Sequence, residues 1–155
     1  MRILKTLLIA MLFVNCATPI EPVYTYNVNK ELQPYVKEVL KSLEFHDIEF
    51  KKQSFVVVFD ADLIRTPIAG RALGMDNDDL VYVIINPLMW GKLTVKERRH
   101  VIFHELSHDI FNIEHTNLIE LMRPSMPSPS ESKYMRMNKQ IYILMKYIKN
   151  GNGKI

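Results

Sequence analysis

The chain of 155 residues holds one cysteine, Cys16, which excludes an intrachain disulfide. Whatever stabilises the fold must come from an apolar core or a bound metal. The chain also lacks an apolar run long enough to cross a bilayer. The longest, Leu7 to Val14, is eight residues, against the roughly 20 that a membrane-spanning helix needs. Charge of one sign is missing too, since 20 basic residues stand against 17 acidic ones and Arg2 and Lys5 supply most of the difference. No basic stripe with interleaved aromatics occurs, so no nucleic-acid partner is expected. Internal repeats are absent. With 48% hydrophobic and 24% charged residues, what remains is the composition of one globular domain around one core.

What is there begins with a targeting pattern. Arg2 and Lys5 make a positive start, no acidic residue precedes Glu21, and Leu7–Val14 has the length of a signal-peptide core. Residues 1–15 are therefore expected to direct export. Cys16 follows directly and looks like the lipid-modified cysteine of a bacterial lipoprotein, which implies an exported chain held in a cell envelope through a lipid at Cys16. Residues 16–30 read as a tether and residues 31–150 as the folded domain.

Within that domain, Leu32, Val36, Val39, Leu40 and Leu43 recur at helical spacing and predict a helix from about Pro34 to Leu43 or Glu44. Phe55 to Phe59 and Leu80 to Ile85 are continuous β-branched and aromatic runs, expected as strands buried on both faces. Between them, Gly70-Arg71-Ala72-Leu73-Gly74 is a candidate edge strand. Thr94-Val95-Lys96-Glu97 is a capping box that opens a helix with a core stripe of Ile102, Leu106, Ile110 and Ile113. Pro124, Pro127 and Pro129 follow, and Ser128, Pro129 and Glu131 form a second helix start. The last helix carries Tyr134, Ile141, Leu144, Met145 and Ile148 on one face and stops at Gly151-Asn152-Gly153. The expected class is α+β: one domain with a small mixed sheet, an N-terminal helix, a central helix and a C-terminal helix.

The central helix contains His104-Glu105-Leu106-Ser107-His108. Two histidines four apart project from one helical face, so both imidazoles can reach one zinc ion. Glu105 leans toward the open coordination position, where it can take a proton from an activated water and pass it to a leaving amine. A catalytic zinc needs a third protein ligand. For the chain to send one back, the helix must end in a sharp turn, which a residue tolerant of positive φ allows. Asn112 is such a residue, and His115 follows it by three. Asp109 either orients a histidine through its second ring nitrogen or is a solvated helix charge, and both readings stay open. His100 is expected at the surface or behind a ligand, because Val101 stands where a glutamate would be needed. Trp90 is expected as a packing anchor.

The pattern resembles the metzincins, whose signature is H-E-x-x-H-x-x-G-x-x-H. His104, Glu105 and His108 match its first half, and with one extra residue Asn112-Ile113-Glu114-His115 corresponds to G-x-x-H. Unadjusted spacing would put Glu114 at the third ligand, and a ligand arrangement like that of thermolysin would use a more distant glutamate such as Glu131. The resemblance also implies that Leu121-Met122-Arg123-Pro124 is the tight turn with a methionine, Met122, beneath the metal. The alternative reading of Met122 is as one of nine methionines filling the core. A closer similarity is to small metallopeptidases, often lipoproteins, of Bacteroidetes-type bacteria and their phages. It rests on Gly70 to Met75, Val81 to Pro87, Trp90, and Phe103 through His115. It implies a zincin-like fold, one zinc ion and a peptide or protein substrate.

The expected function is thus an exported, monomeric zinc-dependent metallopeptidase with His104, His108 and His115 as ligands and Glu105 as base. The alternative is an inactive zincin-fold lipoprotein that keeps the metal as part of a binding or accessory module. Intact Glu105 favours the enzyme.

Overall fold

A computed structural model describes residues 25–125 and 137–152. The signal segment, Cys16, Glu131, Tyr134 and the Ser128 start signal lie outside the described residues.

The element order is β1 (Thr25–Val28), α1 (Gln33–Phe45), β2 (Ser54–Phe59), β3 (Gly70–Ala72), β4 (Leu80–Ile85), α2 (Pro87–Lys92), α3 (Val95–Phe111) and α4 (Met137–Tyr147). Short 3-10 turns at Ala61–Arg65 and Glu120–Met122 and a π-turn at Ile148–Asn152 complete it. The class is α+β with one four-stranded mixed sheet, ordered β1-β2-β4-β3. β1 pairs β2 and β2 pairs β4 in parallel, while β3 runs antiparallel along the outside of β4.

Most of this follows from local chemistry. Pro34 lies in the first turn of α1, where its missing N–H costs nothing. Val36, Val39 and Leu43 form the buried face of that helix. The capping box of α3 is complete: Thr94 Oγ1 accepts from the Glu97 N–H, and the Glu97 carboxylate accepts from the Thr94 N–H. Trp90 is the expected anchor. It is 2% exposed, donates Nε1–H to Glu31 and meets Tyr35 and Phe59 edge-on.

Three expectations need correction. The stretch read as a tether contributes Thr25–Val28 to the sheet, because β2 offers it a parallel partner that no local pattern announces. The two central strands are not equally buried on both faces. Phe55, Val57, Val81, Val83 and Ile85 join the helices in the core, whereas Val56, Val58 and Tyr82 remain half-buried. Helix α3 carries no narrow stripe: every residue from His100 to Phe111 is buried, since β3, β4, α1 and α4 all pack around it.

That enclosure decides the fate of Asp109, which neither orients a histidine nor faces solvent. It is 0% exposed. Its Oδ1 accepts from Lys52 Nζ at 2.9 Å, and its Oδ2 accepts from the backbone N–H groups of Gly74 at 2.7 Å and Tyr82 at 3.1 Å. Lys52 also donates to the Gly74 carbonyl. Here the carboxylate, in place of a β3 carbonyl, accepts from the Tyr82 N–H of β4. The result is a charged rivet between α3 and the β3–β4 hairpin.

Candidate metal centre

His104 and His108 lie one turn apart on α3, and their rings stand 4.5 Å apart at 87°. Helix α3 ends at Asn112, whose φ of 50° and ψ of 37° place it in the left-handed region. This is the sharp turn the sequence led us to expect. It brings the His115 ring to 5.1 Å from His104 and 4.6 Å from His108. One nitrogen from each of the three histidines lies within 4.8 Å of the others. The structure thus brings together the three residues named from the sequence. Glu114 lines the same cleft but does not join the group.

Two backbone carbonyls fix which nitrogens face inward. His104 Nδ1 contacts the Leu121 carbonyl at 2.6 Å, and His108 Nδ1 contacts the Ile113 carbonyl. A carbonyl oxygen only accepts, so both Nδ1 atoms carry the proton. Both rings are also neutral. Burial pulls His104 down to about 3, with the Leu121 carbonyl opposing and His108, His100 and His115 adding to the depression. Burial lowers His108 as well, against the Ile113 carbonyl and together with His115.

The two Nε2 atoms therefore present bare lone pairs to each other at 3.0 Å, and His104 Nε2 lies 3.1 Å from His115 Nε2. Neither member of the first pair has a proton to share, so in isolation the two repel. A cation between them turns the repulsion into coordination. Nitrogens held 2.0–2.1 Å from one tetrahedral ion would be about 3.3–3.4 Å apart, so the donor set fits a metal ion. The orienting carbonyls of Leu121 and Ile113 were invisible in the sequence, because any residue type supplies one.

Glu105 is buried beside this group, 9% exposed. Burial raises its carboxyl to about 7, while the Ala72 backbone N–H and Arg71 favour the charged form and Asp109 opposes it. His100 is 2% exposed and so not a surface residue. Its ring stacks 5.9 Å from His104, and burial lowers its pKa to about 4. Met122 is fully buried, in a turn closed by its own N–H to the Ile119 carbonyl. The three histidines, Glu105 and His100 border a cleft of about 910 Å³ between α3 and β3, with Ile68, Met75, Met89 and Arg123 on its other walls.

The turn at Asn112 can be tested alone, since its buried Oδ1 has no hydrogen-bond partner among the described residues. Asn112→Ala is expected to be about 1 kcal/mol less stable than Asn112→Gly in urea denaturation, because any Cβ is strained at this φ. Asn112→Gly should match the wild type or exceed it slightly. Equal stability of the two variants would contradict the account.

Comparison with protein-family models, curated proteins and solved structures found no match for this chain.

Proposed function

We propose that the chain is a zinc-dependent metallopeptidase of zincin-like fold, with His104, His108 and His115 holding the ion and Glu105 as general base. The observation that carries this reading is the pair of neutral imidazoles whose unprotonated nitrogens face each other beside a buried carboxylate. Helix α3 lying along edge strand β3, with the cleft between them, supports the zincin-like assignment. The tight turn at Met122 fits the methionine turn implied by the metzincin resemblance.

When bound, zinc supplies a Lewis acid and makes a coordinated water acidic near neutral pH. The residues of this chain do the rest. His104 and His108 keep their Nδ1 protons on the Leu121 and Ile113 carbonyls, which holds the rings in register. Glu105 accepts a proton from the attacking water at a carboxylate oxygen and returns it to the amine nitrogen as the C–N bond breaks. No net proton remains on the enzyme. Burial of Glu105 excludes competing water from that transfer.

The first test is metal content. Wild-type protein is expected to copurify with close to one zinc per chain. His115→Ala should weaken zinc binding beyond the 10–100-fold typical of losing a group that merely orients a ligand. Tight zinc retention by that variant would transfer the third position to Glu114. A wild type that binds no zinc would end the proposal. Export and lipid attachment at Cys16 belong to the same proposal, and mass spectrometry of the mature N-terminus tests them.

A further inference from the structure

We propose that edge strand β3 positions the base, with Gly70 as the positioning residue for Glu105. The proposal rests on the peptidase reading of Glu105, but its geometry stands apart from the metal.

Gly70 has an ordinary φ, so its backbone conformation does not call for glycine. A glycine inside a strand costs about 0.5–1 kcal/mol relative to alanine, and one is kept here for close approach. A Cβ on Gly70 would stand 2.8 Å from Glu105 Cγ, 3.1 Å from Glu105 Oε1 and 3.0 Å from Ile85 Cδ1. The Glu105 side chain thus lies flat against the strand at a spot only glycine leaves open.

The hydrogen-bond phase of the strand supplies the second constraint. Leu73 N–H donates to the Tyr82 carbonyl and Asn86 N–H to the Ala69 carbonyl, so Ala69, Arg71 and Leu73 face β4. In an antiparallel ladder the alternate residues then turn their polar groups outward. Gly70 and Ala72 are those residues. The outward N–H of Ala72 is the backbone group that favours the charged form of the Glu105 carboxylate. Gly70 clears the space for the side chain, and the Ala72 N–H favours its charged form.

The test compares zinc-loaded wild type, Gly70→Ala, Ile85→Val and the double variant, using crystal structures and cleavage of fluorescently labelled casein. In Gly70→Ala, Glu105 Cγ must retreat by about 0.6 Å to reach ordinary contact. The carboxylate is expected to be displaced while the three histidines and the zinc stoichiometry stay unchanged. For casein, kcat should fall about 10- to 100-fold with KM within about twofold. Ile85→Val removes Cδ1, so it relieves the second clash and leaves the first. Recovery of kcat in the double variant would place the effect in core packing and overturn the proposal. A carboxylate found in its original place in Gly70→Ala would overturn it as well. Where Gly70→Ala alone fails to fold, the double variant carries both readouts. Wild type that binds zinc yet leaves casein intact counts against the peptidase reading, and the crystallographic comparison still decides the positioning role.

Discussion

Glu105→Gln is expected to yield a folded, zinc-loaded protein whose turnover of peptide falls by about three orders of magnitude, within the range for removal of a positioned general base. Glutamine keeps the shape that fits against Gly70, where the Glu105 side chain passes closest to β3. It removes only the ability to take up a proton. The metal should be retained, because the nitrogens that converge belong to His104, His108 and His115. Zinc content and kcat measured on one preparation separate the outcomes. Turnover within tenfold of wild type would show that another group moves the proton. Loss of zinc would make Glu105 part of the metal site instead. A wild type that holds zinc and cleaves nothing would favour the alternative of an inactive binding module.

The largest effect on stability is expected at Asp109, away from the chemistry. Asp109→Ala leaves Lys52 charged at 5% exposure and strips a partner from the backbone N–H groups of Gly74 and Tyr82. Removing one member of a buried ion pair costs about 3–5 kcal/mol. That corresponds to a fall in Tm of the order of 10 °C for a chain of this length. Lys52→Met should cost a comparable amount. The double variant Lys52→Met/Asp109→Leu should lose less than the sum, since no lone charge is then buried. It should still fall short of wild type, because two N–H groups remain without acceptors. Chemical denaturation of the four proteins measures the coupling. Strict additivity would mean that the pair does not act as a unit.

Both predictions concern neighbouring residues of one helix, yet the sequence made only one of them legible. His104, Glu105 and His108 announce themselves because their chemistry depends on a spacing within a single turn. Asp109 gives no such signal. Its partner Lys52 is 57 residues away, and nothing in the order of residues around it shows that α3 is enclosed on all sides. The same contrast holds for strands. Leu80–Ile85 is recognisable from its own composition, whereas Thr25–Val28 is polar enough to read as a tether and becomes a strand by pairing with β2. Helix α2 had a local sign in Asn86 followed by Pro87, an N-cap and first-turn pair. With six residues, it was too short for a periodic pattern to reveal it.

Taken alone, the order of residues determined the elements whose driving force is local: the periodic helices, the continuous apolar strands, the capping box of α3 and the turn at Asn112. It also determined the two imidazoles and the carboxylate on one helical turn, because 3.6 residues per turn is a property of the backbone. Tertiary structure decided the rest. It swung His115 onto the pair, set the ring tautomers with the Leu121 and Ile113 carbonyls, buried Asp109 against Lys52 and laid Glu105 against Gly70. Those contacts join segments distant in the chain, many through backbone atoms that every residue shares. Only the closed fold specifies which of them meet.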